Sequence, residues 1–86
     1  MERKVVEEFK LSDGRTVKIY EGIGEDFLTA IEIAEATGKT SVKDTVLTLM
    51  ELLIEVDGQK LPAEEFAKLP LKDFMKLYNK IGENLS

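Results

Sequence analysis

The stretch TVLTLMELLIEV, Thr45–Val56, decides the fold, because its only charged residues are Glu51 and Glu55. We predict one helix over residues 42–56. A surface helix usually carries an apolar stripe about 100° wide. At about 100° per residue, Asp44, Thr48, Glu51 and Glu55 fall within roughly 60°, and the apolar residues cover roughly 220° of the remainder. Such a helix is either the centre of the hydrophobic core or shared with a partner chain.

Both interpretations of this helix stay open. In the first, the rest of the chain covers it on two sides. In the second, one flank with Leu47, Met50 and Ile54 stays exposed and binds another protein, since contiguous apolar patches mark interaction sites. We therefore name these three residues as candidate protein-binding contacts.

A β-hairpin is predicted over residues 5–20, around the turn sequence SDGR. A three-residue loop, Ser12–Gly14, with Gly14 in a left-handed conformation keeps apolar side chains on one face. This register pairs Phe9 with Val17, Glu8 with Lys18 and Val6 with Tyr20. Because a lone hairpin is marginally stable, this face must pack on helices or join another sheet.

Four helices are predicted, at residues 25–37, 42–56, 62–68 and 70–82. The first should bury a stripe of four residues and leave Ile33 outside it. That stripe comprises Phe27, Ala30, Ile31 and Ala34. Gly58 is expected to end the second helix. The order ββαααα predicts a single α+β domain over residues 1–86, with a hairpin laid on a helical layer.

Four lysines, spaced by four residues, follow one side of the last helix. They are Lys68, Lys72, Lys76 and Lys80. They indicate either a contact for an acidic partner segment or a solvated face whose later lysines complement the helix C-terminus. The solvated face is the favoured interpretation. Ile33 is a further candidate contact beside Leu47, Met50 and Ile54, and Lys72 and Lys76 are kept as the polar rim of the binding surface.

The composition restricts the function. A chain of 86 residues is long enough for one domain. Its net charge of −5 argues against nucleic acid as the partner. The absence of His and Cys excludes Ser-His-Asp and Cys-His catalysis and His- or thiolate-ligated zinc. We expect a cytoplasmic, non-enzymatic protein without cofactor, metal or membrane span.

Several short sequence segments along the chain together point to one protein family. A short hairpin, FKLSDGRTVKIYE (Phe9–Glu21), precedes the step Gly24-Glu25-Asp26 and an apolar helix. The segment LPAEEFAKLPLKDFMKLYNKI (Leu61–Ile81) then places Leu-Pro before each of two helices and Asp73 inside the last. Over residues 5–82 the chain resembles the small tail assembly chaperones of long-tailed bacteriophages and their prophages.

The resemblance implies a non-enzymatic protein of the host cytoplasm. Such chaperones bind the long, helical tape measure protein during tail assembly, help to recruit tail tube protein, and self-associate around their client. The resemblance implies no catalytic residues in this chain. The alternative hypothesis is a small acidic regulatory or antidote-type module that acts as a dimer, with a clustered acidic face imitating nucleic acid.

Overall fold

The computed structural model describes residues 3–85. The strands are β1 (Val5–Lys10), β2 (Thr16–Tyr20), β3 (Ile54–Val56) and β4 (Gln59–Lys60). The helices are α1 (Gly24–Ala36), α2 (Val42–Leu53), α3 (Ala63–Ala67) and α4 (Leu71–Leu85). The strands form one antiparallel sheet in the order β1-β2-β3-β4. The predicted α+β class, with an N-terminal hairpin and four helices, is confirmed.

The first hairpin has the predicted three-residue loop. Gly14 has a φ of +91°, and the register pairs Phe9 with Val17 and Glu8 with Lys18. Tyr20, however, pairs with Val5, because a bulge lies between Val5 and Glu7. The predicted pair of Val6 with Tyr20 is therefore wrong.

The predicted second helix is too long by three residues. α2 ends at Leu53, and β3 follows as a strand that pairs with β2. Asp57 and Gly58, with φ angles of +52° and +79°, form a two-residue hairpin turn of the type I′ kind. Gly58 therefore does not end a helix. The Asp57 carboxylate accepts a hydrogen bond of 2.9 Å from the backbone N–H of Thr16, which joins this turn to β2.

The core lies between the inner face of the sheet and the helices. Its sheet side comprises Val17, Ile19, Ile54 and Val56, and its largest fully buried helical residues are Met50, Phe66 and Leu77. α2 packs against α1, α3 and β3. In α1, Ala30 and Ala34 are buried as predicted, whereas Phe27 is 45% exposed and not part of the buried stripe.

The outer face of the sheet carries one row of alternating charge. Glu8 pairs with Lys18, Lys18 with Glu55, and Glu55 with Lys60, so the four strands contribute negative, positive, negative and positive residues in turn. Opposite charges on neighbouring strands are favourable cross-strand pairs. This row specifies the register of all four strands.

Two buried carboxylates connect distant parts of the chain. Asp73 in α4 accepts hydrogen bonds from the backbone N–H of Ser12 at 3.1 Å and from the Ser12 hydroxyl at 2.6 Å. Asp26 in α1 accepts two hydrogen bonds of 2.5 Å from the Arg3 guanidinium and one of 2.7 Å from the Ile23 N–H. The first contact fixes α4 against the hairpin loop, and the second fixes the chain before β1 against α1.

Candidate functional site

Three of the predicted contacts lie in the core. Leu47 is 9% exposed, and Met50 and Ile54 are fully buried. The expectation that this flank of the second helix is exposed is therefore wrong. α3 covers that side of α2, with Phe66 fully buried in the same core, and Ile54 belongs to β3. These three side chains stabilise the fold and are not available as a binding surface.

The other three predicted contacts are exposed but do not lie together. Ile33 is 42% exposed, and it projects roughly 120° around α1 from Phe27. Lys72 and Lys76 lie on α4. The Lys76 ammonium is 4.4 Å from the centre of the Phe9 ring, close enough for a cation–π contact that fastens α4 to β1. Only Lys72 and Lys76 share an element.

The structure places a different set of apolar side chains at the surface of three neighbouring helices. We call this set the helical surface. It comprises Phe27 and Ile31 of α1, Val42 and Val46 of α2, and Leu71, Met75 and Tyr78 of α4. Val42 is 80% exposed and Leu71 is 75% exposed. Contiguous exposed apolar side chains of this kind are typical of an interaction site, whereas isolated ones are common on any surface.

Two depressions show that the helical surface is continuous. One of about 270 Å³ lies between α1 and the beginning of α2 and is lined by Phe27, Ile31, Val42 and Val46, among others. A second of about 150 Å³ shares Phe27 and Val46 and adds Tyr78 of α4. The three helices therefore present one apolar area.

A larger depression of about 370 Å³ lies beside it, between α2 and the start of α4. Its apolar lining includes Leu47, Leu69, Leu71 and Phe74, and Lys43 is the charged residue at its edge. The Phe74 ring stacks on Tyr78 with 6.4 Å between ring centres. This stacked pair connects the larger depression to the helical surface.

The exposed side of α4 has the spacing of a helix-packing seam. Leu71, Met75, Tyr78 and Gly82 are separated by four, three and four residues, which places them within roughly 60° of one another. Alternating steps of three and four residues are the pattern that one helix presents to another. The buried Leu77 and Ile81 lie on the adjacent side of the same helix.

Sequence reasoning missed this seam, although a signal was present. The apolar residues of α4, from Leu71 to Ile81, cover roughly 160° of the helix, wider than the roughly 100° that one core contact requires. The part of this arc that the core does not cover is the exposed seam. Phe27 was missed because it falls on the same helical stripe as the buried Ala30 and Ala34.

Charged residues of both signs surround the helical surface. α1 exposes Glu25, Glu32 and Glu35, and its sequence contains no Lys or Arg. Lys43 lies on α2 and Lys72 on α4, and neither forms an ion pair within residues 3–85. Lys43 lines the same depression as Leu71, so positive charge is also present where α4 faces α2.

Two carboxyl groups among residues 3–85 have a pKa below the ordinary value. The hydrogen bond from Arg3 lowers the pKa of Asp26, and the backbone N–H of Arg15 lowers the pKa of Asp13. An acid catalyst near neutral pH needs a carboxyl pKa shifted in the other direction. Within residues 3–85, no three His, Cys, Asp or Glu side chains are grouped so that they could hold a metal ion.

In the part of the chain that the structure describes, no helix has both the length and the apolar character needed to cross a membrane. Comparison with protein-family models, curated proteins and solved structures finds no match to this chain.

Proposed function

We propose that the protein is a non-enzymatic phage tail assembly chaperone that covers apolar helical segments of the tape measure protein. In this proposal it keeps the client soluble, helps tail tube protein to join, and works in the host cytoplasm as a homo-oligomer. The observation that carries the proposal is the helical surface, which spans three helices around Phe27, Val46 and Tyr78.

The mechanism is helix-in-groove recognition. An amphipathic client helix laid on the helical surface removes apolar area from water, at about 25 cal/mol per Å². Translational and side-chain ordering costs reduce that gain. The contacts now proposed are Leu71, Met75 and Tyr78 of α4 with Phe27 and Val46, in place of the buried flank of α2. Lys72 and Lys76 remain as the polar rim.

Co-expression with a tape measure protein tests the proposal. Met75 and Ile33 are both 42% exposed, on and off the helical surface respectively, so Met75→Glu and Ile33→Glu form a matched pair. We expect Met75→Glu to reduce the amount of soluble client that copurifies, and Ile33→Glu to leave it unchanged. Circular dichroism should show the wild-type helix content for both variants.

The reverse result, or no capture of the client by the wild-type chain, would contradict the proposal. The alternative nucleic-acid mimic requires acids clustered on one face. The acids on the outer face of the sheet alternate with lysines, so that face does not provide the cluster, whereas α1 exposes three acids, Glu25, Glu32 and Glu35.

A further inference from the structure

We infer that the open edge of β1 is the contact between two copies of this chain, which pair antiparallel across a twofold axis at residues 8–10. The pairing joins the two four-stranded sheets into one continuous sheet. The inference goes beyond the proposed function, because it names where copies meet and needs no tape measure protein. It is carried by the direction of the backbone groups of β1 and by the charges of the two residues that face its edge.

The two edges of the sheet differ in what they offer a partner strand. β4 has two residues, whereas β1 has six. β2 lies on one side of β1, and no strand of the described chain lies on the other. An edge strand of this length is a template on which another strand can form hydrogen bonds. β1 is therefore the edge at which a second copy fits.

The hydrogen bonds around β2 show which of its residues face β1. The Leu11 N–H donates to the Arg15 carbonyl at 2.9 Å, so these two residues form a hydrogen-bonded pair. Such pairs alternate along an antiparallel ladder, so the next pair, Lys10 with Thr16, is not hydrogen-bonded. The Asp57 N–H donates to the Thr16 carbonyl at 2.8 Å, which confirms that the backbone of Thr16 faces β3 and not β1.

Glu8 and Lys10 face the open edge of β1. By the same alternation, their N–H and C=O groups point away from β2, and both residues are exposed. The bulge between Val5 and Glu7 interrupts the strand just before this point. The part of β1 that can pair regularly with a partner therefore begins at Glu8.

The opposite charges of these two residues select one register. Antiparallel copies related by a twofold axis can place Glu8 opposite Glu8, Lys10 opposite Lys10, or Glu8 opposite Lys10. The first two put like charges against each other, which is how charged edge strands normally resist pairing. The third makes two pairs of Glu8 with Lys10, each exchanging backbone hydrogen bonds, with Phe9 opposite Phe9 at the axis.

This register also continues the row of charge on the outer face of the sheet. Within one copy, the row from β4 to β1 reads Lys60, Glu55, Lys18 and Glu8. Lys10 of the second copy comes next, so the signs alternate across the axis. The contact between copies thus repeats the cross-strand pairing that each sheet uses internally.

α4 leaves this edge accessible but limits its affinity. It contacts β1 through the Lys76 ammonium over the Phe9 ring and through a 3.6 Å ion pair between Lys80 and Glu7. In the dimer, two copies of Lys76 approach one pair of Phe9 rings, and their long side chains relieve this like-charge contact by turning the ammonium groups to water. Because of this cost and the few paired residues, we expect a weak dimer that dissociates on dilution.

Light scattering of the full chain over a range of concentrations tests the inference. Glu8→Lys and Lys10→Glu each turn both opposite-charge pairs into like-charge pairs and should raise the dimer dissociation constant roughly tenfold or more. Glu32→Lys, on the exposed side of α1, makes the same change of charge as Glu8→Lys and should leave the constant unchanged. Circular dichroism should show the wild-type spectrum for all three variants.

An equimolar mixture of the two edge variants is a sharper test. A Glu8→Lys chain presents two lysines at the edge and a Lys10→Glu chain presents two glutamates, so together they restore both opposite-charge pairs. The mixture should associate where neither variant does alone, although both chains keep a net negative charge.

Hydrogen exchange of the wild-type chain locates the contact directly. The amide hydrogens of Glu8 and Lys10 should exchange more slowly as the concentration rises, because they become hydrogen-bonded only in the dimer. The amide hydrogen of Phe9, which faces β2, should change little. Exchange at Glu8 and Lys10 that stays fast while the chain dimerises would contradict the inference.

A wild-type chain that stays monomeric, or a mixture of edge variants that does not associate, would also overturn it. So would self-association that survives both edge variants and is lost in Met75→Glu, because the copies would then meet through the helical surface. Copurification of the tape measure protein decides client binding separately, since Met75 lies on the helical surface and Glu8 and Lys10 lie on the sheet edge.

Discussion

At the residue scale, Asp26 combines two roles that depend on its charge. Its carboxylate accepts hydrogen bonds from the Arg3 guanidinium and from the Ile23 N–H at the start of α1. The hydrogen bond from Arg3 is the largest cause that lowers its pKa below the ordinary value of 3.8. A lowered folded-state pKa stabilises the fold above the unfolded-state pKa, and this contribution is lost as the pH falls toward the folded-state value.

We expect Asp26→Asn to lower the free energy of unfolding at pH 7 by about 1–2 kcal/mol, since it weakens charge-assisted hydrogen bonds to a partly exposed Arg3. The difference from wild type should shrink as the pH falls from 3.8 toward the lower folded-state pKa, because the carboxyl is then protonated first in the unfolded chain and then in the folded one. Urea unfolding between pH 7 and pH 2 measures this. Glu32→Gln, on the exposed side of α1, is the control, and an equal loss in both variants would contradict the prediction.

Asp73 is a second residue whose contacts are specific. It is 5% exposed and holds Ser12 through two hydrogen bonds. Asp73→Ala should cost about 1–3 kcal/mol, because it leaves the Ser12 N–H and hydroxyl without their partner. A double-mutant cycle with Ser12→Ala measures the hydroxyl part of the coupling. Strict additivity of the two substitutions would show that the hydroxyl contact contributes nothing.

At the scale of the element, the β3–β4 hairpin depends on its turn. Gly58 has a φ of +79° and an added Cβ there would meet no atom within 4 Å, so the cost of Gly58→Ala comes from the backbone alone. We expect a loss of about 1–2 kcal/mol for this left-handed position. At Gly24 an added Cβ would also meet no atom within 4 Å, but there the backbone is helical. Gly24→Ala should therefore gain about 0.5–1 kcal/mol. Thermal unfolding of both variants measures the contrast, and equal effects would refute it.

At the scale of the whole molecule, methionine is a core residue on one side of the helical layer and a surface residue on the other. Met50 is fully buried, whereas Met75 is 42% exposed. Met50→Ala should cost about 2–5 kcal/mol, because it leaves a cavity in the core. Met75→Ala should change stability by about 0.5 kcal/mol or less. Chemical denaturation of the two variants tests this division, and a large loss for Met75→Ala would show that the seam supports the core.

The local sequence by itself determined much of the fold. The three-residue loop with left-handed Gly14 specifies the register of Phe9 with Val17, because turn conformation depends on adjacent residues. The four helices, the α+β class and the exposure of Ile33 follow from periodicity in the same way. The sequence Asp57-Gly58 is also typical of a hairpin turn. The apolar residues before it favoured the prediction of a continuous helix instead.

Only the tertiary structure decided that Ile54–Val56 form a strand and where the candidate site lies. An apolar run is compatible with a helix or a strand, and the open edge of β2 supplied the hydrogen bonds that selected the strand. The wide apolar arcs of α2 and α4 exceed what one core contact covers. Which part stays exposed depends on where the other elements pack: α3 and the sheet cover Met50, and no element of the described chain covers the exposed seam at Met75. Periodicity measures how much of a helix is apolar, whereas burial depends on contacts between residues far apart in the chain.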